Sequence, residues 1–367
     1  MKLTRRTALK GLGATTLAMP FVRPSWAQST SLNIYNWSDY IGETTIADFE
    51  AATGITAVYD LYASAEEMQA KMLAGSTGYD VVIHAGAALP RFLKAGVYQA
   101  IDRSKLPSWA NLDPNILKVV EGYDPGLLYT VPYMWGSVGI TYNVDMVRER
   151  LGDIDLNNLD VLFNPENAAK LADCGISLLD SPDDIGSMVM SWLGIDPNNA
   201  TAEDFDKMVA AFKPIREYVA TFDNANYLTS LPNQELCVAN TWSGDYGVAL
   251  TRAKEAGIEL NLEYYVPKTG APAWFDLWCI PADAANVDNA HVFLEYLLQP
   301  EVIAACTNFT GYANANAAAT PFVDPSVSSN PAIYPDAETL SRMYTLKPRT
   351  DEQDRLMTRA WAEVKAG

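Results

Sequence analysis

Three segments of this 367-residue chain set a tryptophan within three positions of an aspartate. Trp37-Ser38-Asp39-Tyr40 follows one predicted strand, Trp242-Ser243-Gly244-Asp245 follows another, and Trp274-Phe275-Asp276 lies in a third extended segment. An aromatic face attracts a cation through its quadrupole, worth ~0.5–2 kcal/mol per contact. A carboxylate adds charge-assisted hydrogen bonds to an ammonium. Taken singly, each pair is also what a packed aromatic near a helix cap looks like. Three of them in a similar strand-to-loop setting point to a site for an organic cation, because open α/β sheets bind ligands at strand C-termini.

Other chemistry finds less support. The two histidines, His84 and His291, stand in different contexts, too few for a metal site or a triad. His84 ends a predicted strand, where loop residues line ligand sites, whereas His291 falls within a predicted helix. No G-x-S-x-G, P-loop or H-E-x-x-H occurs. The adjacent acids Asp183 and Asp184 follow Pro182, a pattern of solvated turns. The reading is therefore a binding protein and not an enzyme, with no cofactor and no metal. An exported enzyme is the alternative from another class.

Composition agrees with this direction. Acidic residues outnumber basic ones 45 to 26, a formal charge of −19. That excludes nucleic acid as the expected partner, since phosphate contacts need clustered Lys and Arg. It suits a cationic ligand, although solubility alone would also account for it. Residues 1–27 read as an export signal: Lys2, Arg5, Arg6 and Lys10 precede a weakly apolar stretch, Ala8 to Val22, and Ser25-Trp26-Ala27 offers a cleavage site. Thr4-Arg5-Arg6-Thr7-Ala8-Leu9-Lys10 resembles the twin-arginine motif; an ordinary secretory signal is the alternative. That segment holds five basic and no acidic residues, so its removal leaves −24. No later run approaches ~18 uninterrupted apolar residues, the length of a membrane span.

The elements that must position the aromatic–acid pairs alternate. Leu32–Tyr35 reads as a strand, Glu43–Ala52 as a helix stopped by Gly54, and Ile55–Tyr62 as a second strand. Ser64 and Glu67 form a capping box for a helix ending at Gly75. Asp80–Ile83 reads as a buried strand, Phe92–Gly96 as a short helix, Ala202–Tyr218 and Asn289–Leu298 as amphipathic helices, and Glu235–Trp242 as a strand. Alternation of this kind implies an α/β sheet covered on both faces. No Ser/Gly-rich linker separates two domains, so the chain is expected to cross between lobes more than once. Four cysteines, 174, 237, 279 and 306, permit three full pairings.

The chain also resembles a known family. Asn36-Trp37-Ser38-Asp39-Tyr40, Tyr133-Met134-Trp135-Gly136 with Gly139 and Tyr142-Asn143-Val144-Asp145, and Tyr312-Ala313-Asn314-Ala315-Asn316 are similar to segments of the periplasmic polyamine-binding proteins of ABC importers. Ala74-Gly75-Ser76-Thr77-Gly78, Leu106-Pro107 and Thr358-Arg359-Ala360-Trp361 extend the likeness over essentially the whole chain after the signal. The resemblance implies a two-lobed type II binding protein, each lobe a mixed, mostly parallel sheet flanked by helices. Expected bounds are 28–136 plus 250–305 for the first lobe and 137–249 plus 306–367 for the second.

By the same resemblance, Trp37, Tyr40, Trp242, Trp274 and Tyr312 are walls of an inter-lobe cleft. Ser38, Asp39, Asp184, Asp245 and Asp276 then face the ammonium groups. The loop His84-Ala85-Gly86-Ala87-Ala88 stands where the family offers hydroxyls and bulk, so His84, Ala85 and Ala88 are candidate ligand-loop positions. Putrescine is the favoured ligand, with spermidine, cadaverine, agmatine or another cationic solute as alternatives. The implied partner is an ABC permease, the implied compartment the periplasm, and the implied state a monomer. Cys174 and Cys237 match a family disulfide, and Cys279 with Cys306 is expected as a second bridge.

Overall fold

Two apolar cores organise the chain, and two long strands connect them. The computed structural model describes residues 30–62 and 64–367, so the expected export signal lies outside the described residues. The strands are β1 (Ser31–Trp37), β2 (Thr56–Tyr62), β3 (Val81–Ala85), β4 (Tyr98–Gln99), β5 (Thr130–Asn143), β6 (Ile176–Leu178), β7 (Thr221–Phe222), β8 (Val238–Trp242), β9 (Leu262–Tyr265), β10 (Ala271–Pro281), β11 (Ala313–Asn314) and β12 (Met343–Thr345). Their main path runs β2-β1-β3-β10-β5-β8-β6-β7. Outer strands pair in parallel, β1 with β2 and β3, and β6 with β7 and β8. On this path the long strands pair antiparallel with their neighbours, while the short β12 adds to β10 in parallel. The result is the mixed, helix-flanked α/β architecture that alternation in the sequence predicts.

Strand β5 explains how one chain builds both halves. Its first part, Thr130–Ser137, pairs with β10, and its second, Val138–Asn143, pairs with β8 and β9. Tyr133 and Met134 pack in the first core with Leu32, Ile34 and Phe49, whereas Val138, Ile140 and Tyr142 pack in the second with Ile176 and Met188. Strand β10 returns: Ala271 belongs to the second core, and Ala273 to Ile280 belong to the first.

We propose lobe bounds that follow the core partition in place of the expected ones. Leu262, Val266 and Ala271 belong to the second core although 250–305 was assigned to the first lobe. Cys306, Tyr312 and Ala319 belong to the first core although 306–367 was assigned to the second. The reason is packing: helix 300–310 seats Cys306 against Gly42 and Thr45, while the strand β9 closes on β5. We propose crossings at 136–138 and 271–273, and a third between Val323 and Met357, which returns the C-terminal helix 351–366 to the second core.

Local elements follow the sequence signals closely. Ser64 accepts from the Glu67 amide and starts helix 65–74, and Gly54 ends helix 45–53 in the left-handed conformation. Helix 202–212 stops before Pro214, short of the expected Tyr218, because proline cannot donate to the helical ladder. Among the described residues no helix is long and apolar enough to cross a membrane.

Cys174 and Cys237 form a disulfide with Cα atoms 5.4 Å apart. Cys279 and Cys306 are free and buried, which overturns the expected second bridge. Cys306 lies beside Thr45 Oγ1 at 3.4 Å, while Cys279 sits inside β10 opposite Thr130 and Val82. Replacing Cys174 and Cys237 with alanine should lower stability by about 4 kcal/mol, the chain-entropy value for a loop of this length. Chemical denaturation of the double variant measures it, and a loss below about 1 kcal/mol would refute that role.

Candidate functional site

Strand ends converge where the two cores meet. Strand β1 ends at Trp37, and the loop beyond it is pinned from several sides. Asn36 donates through its side-chain amide to the Tyr40 carbonyl at 3.1 Å and to the Tyr59 hydroxyl at 2.7 Å, and its Oδ1 accepts from the Trp37 backbone amide. Tyr133, from β5, donates to the Tyr40 carbonyl at 3.0 Å. Tyr40 is thereby fixed, with its ring edge-on to Tyr133 at 5.5 Å and to Tyr312 at 5.6 Å. Trp274 meets Tyr312 edge-to-face at 5.1 Å, and Trp37 lies 4.3 Å from Tyr62. Such tilted pairings let one ring's positive edge meet another's negative face.

Gly136 makes room for this wall. Trp274 pairs across from it, and a β-carbon there would lie 2.5 Å from the indole and 2.7 Å from Ser243 Oγ. The close approach of strand and ring requires glycine at that position.

Asp276 follows two residues later. The register between β10 and β5 shifts between Phe275 and Leu277, so Asp276 sits at a bulge, a device that re-aims a side chain. On its other side Asp276 is in register with Ala85 of β3, which puts both side chains on one face of the sheet. Asp276 is buried, and burial pushes its carboxyl up to about 7, with Tyr40 drawing it partly back.

Two more carboxylates come from the second core. Asp184 stands in a π-helical turn, residues 182–186, an irregularity frequent at functional sites. Trp242 donates its indole N–H to Asp184 at 3.1 Å. Burial pushes Asp184 up to about 7, Asp183 and Asp276 raise it further by charge, and Ser181 and Trp242 oppose the shift. Trp242 and Trp274 each pack against both cores, so these acids border one inter-core region. Asp183 itself pairs with Arg349 at 2.6 Å, so the two adjacent acids have separate environments. Asp245 lies in the first turn of helix 243–255, directly after β8. It accepts from the Tyr312 hydroxyl at 2.5 Å and from Tyr227, and burial raises its pKa against the pull of both phenols. Burial also raises Tyr227 and Tyr312 well above the usual phenol, keeping them protonated donors. None of Asp184, Asp245 and Asp276 forms an ion pair among the described residues.

Trp37, Tyr40, Asp184, Trp242, Asp245, Trp274, Asp276 and Tyr312 therefore gather around one inter-core region. Ser38 and Asp39 stand on the same loop but are exposed, with Asp39 in the left-handed conformation. Ala85 and Ala88 are half-buried. His84 does not join them. It is wholly buried beside Phe92 and Tyr98, its Nδ1 faces the Ala85 carbonyl, and burial pulls its pKa down to about 4. Alternation along β3 turns it to the first core while Ala85 faces Asp276. Sequence reasoning missed Tyr227 and Tyr62, which no motif separates from ordinary core aromatics.

The comparisons with known proteins agree with this architecture. Residues 44–335 match the family model described as bacterial extracellular solute-binding protein. This chain belongs to that family. The matched range contains every gathered residue except the Trp37–Tyr40 loop. The chain is 44% identical over 361 residues to the putrescine-binding periplasmic protein PotF of Escherichia coli (strain K12), covering 98% of each. It is 40% identical to the putrescine-binding periplasmic protein SpuD of Pseudomonas aeruginosa (strain UCBPP-PA14), covering 98% of this chain and 100% of that one. Among solved structures, a putative spermidine/putrescine ABC transporter from Listeria monocytogenes superposes with a TM-score of 0.82 at 29% identity, over 92% of this chain and 99% of that one. The extracellular solute-binding proteins are transport components, and the two-core architecture here is their two-lobed fold.

The raised carboxyls predict a signed pH effect on the unliganded protein. Asp184 and Asp276 titrate near 7 when folded, against the ordinary 3.8. The native state thus holds protons that the unfolded chain has lost, so stability from these groups falls as pH rises from about 4 to 7, with the full cost above 7. Asp276→Asn removes its share. Its stability relative to wild type should rise by roughly 2–4 kcal/mol between pH 5 and pH 8. Thermal unfolding at both values checks this, and a pH-independent difference would contradict the buried, unpaired state.

Proposed function

We propose that this protein captures a linear polyamine dication, putrescine above others, in the cleft between its lobes and delivers it to the permease of an ABC importer. One observation carries the reading. Three carboxyls, Asp184, Asp245 and Asp276, converge among aromatic rings with no basic side chain paired to them. Buried acids without partners are costly, and an entering cation removes that cost by supplying the missing charge. Trp37, Tyr40, Trp242, Trp274 and Tyr312 enclose the methylene chain, while acids spaced along it measure its length. Ser38 and Asp39 complete the first-lobe side as the lobes close, and Ala85 and Ala88 leave the loop side open. Relatives whose names state putrescine binding support the same ligand class.

An α-amino acid fits less well, because its carboxylate asks for a bidentate arginine. Arg349, beside Asp184's neighbour, is already engaged by Asp183 and Asp354. The small side chains of Ala85 and Ala88 favour cadaverine, agmatine or spermidine as the second reading. In this proposal the chain carries out no chemistry, reaches the periplasm through its twin-arginine-like leader and acts as a monomer.

Calorimetry tests the assignment. Asp276→Asn and Asp245→Asn should each weaken putrescine binding by ~2–5 kcal/mol. Unchanged affinity in both variants would remove these acids from the site. A thermal-shift series with putrescine, cadaverine, spermidine, spermine and agmatine ranks the ligands, since stabilisation grows with ligand excess over Kd.

A further inference from the structure

Asp245 is bound from two directions, and the two donors belong to different lobes. Tyr227, fully buried on the short helix 227–230 of the second lobe, donates to Oδ2. Tyr312, part of the first core, donates to Oδ1 at 2.5 Å. The second bond exists only when the lobes stand against each other. Both partners are held by their own lobe. Tyr312 follows Gly311, which caps helix 300–310 through its amide to the Thr307 carbonyl and adopts φ +74°. Asp245 is in the first turn of helix 243–255.

Gly244 is what allows the approach. A β-carbon there would lie 2.5 Å from Tyr312 Cδ1 and Cε1, inside any real contact distance, and these are atoms of a ring wedged between Tyr40 and Trp274. Facing it, a β-carbon on Gly311 would come within 3.3 Å of the Gly244 carbonyl oxygen. The first lobe's 311–312 corner and the second lobe's helix start therefore fit one another through backbone and ring surfaces. Such fit contributes to the closed arrangement alone.

We propose that the Tyr312–Asp245–Tyr227 hydrogen-bond chain, admitted by Gly244, is the latch that holds the two lobes closed, with Gly244 and Tyr227 as its positioning residues. The inference rests on the inter-lobe cleft proposed above but not on which solute fills it. Asp245 then has two tasks, charge for the ligand and acceptor for the opposite lobe, so closure and cation capture share one carboxylate. Tyr227 keeps that carboxylate turned toward Tyr312 when the lobes part.

The test measures closure itself. Spin labels at Glu121→Cys and Lys213→Cys, exposed positions beside Val120 of the first core and Phe212 of the second, report the inter-lobe distance by double electron–electron resonance. Cys279 and Cys306 are buried and stay unlabelled. In the full exported chain, Tyr312→Phe keeps the ring and loses only the hydroxyl. It should shift the distance distribution toward longer, open values and speed putrescine dissociation about tenfold or more, with association changed by less than about threefold. Gly244→Ala should deplete the short distance most strongly, and Tyr227→Phe should give a smaller shift of the same sign. Thermal unfolding shows whether each variant is folded, and if Gly244→Ala is not, Tyr312→Phe decides. Distributions identical to wild type, with and without putrescine, would overturn the latch. A wild-type chain that ignores putrescine would sink the ligand reading, while the ligand-free distances still judge the latch.

Discussion

Burial of carboxylates that the protein itself does not neutralise is the constraint on which the rest of the structure depends. An ion pair between Asp276 and a lysine would satisfy the fold and leave no need for a solute. Instead the basic residues pair elsewhere, Arg349 with Asp183 and Asp354, and Lys365 with Asp180. Neutral donors, the Trp242 indole and the phenols of Tyr227 and Tyr312, steady the acids without cancelling their charge. Neutral hydrogen bonds orient a carboxylate; only a cation compensates its desolvation. On the proposed reading the site is held in readiness for positive charge at the expense of the stability of the unliganded protein.

Holding those acids apart from solvent requires two lobes and strands shared between them. Strands β5 and β10 run through both sheets, so the wall residues on them are placed relative to both cores at once. Asp276 lies at the register shift between β10 and β5, and Asp184 lies in the π-helical turn at 182–186. Both irregularities interrupt regular hydrogen bonding, and both lie at residues of the proposed site.

Much of the fold was legible in the chain. The Ser64 capping box, the Gly54 stop and the apolar run at 81–83 act through neighbours a few residues away, so local spacing identifies them. The three indole–acid pairs were visible because each is contiguous, and family resemblance added Asp184 and Tyr312. The misplacements have a common cause. His84 ends a strand near the site, yet the alternation of β3 turns it to the core, and only the register with β10 shows which parity faces Asp276. Cys279 and Cys306 were expected to pair because two were left over, but β10 and helix 300–310 hold them against different neighbours. The proposed lobe crossings differ from the expected bounds where a single strand serves both halves, since no change of composition marks a crossing inside a strand.

By itself the sequence determined the α/β class, most element positions, the acidic charge and the residues able to bind a cation, all properties set by composition and short-range spacing. Tertiary structure alone decided that Trp242 bonds Asp184, that Tyr227 and Tyr312 hold Asp245 from opposite lobes, and that Gly136 and Gly244 admit aromatic rings. These contacts join positions tens to hundreds of residues apart. Their existence depends on how two cores are set against each other, and that relation is not encoded in any local pattern along the chain.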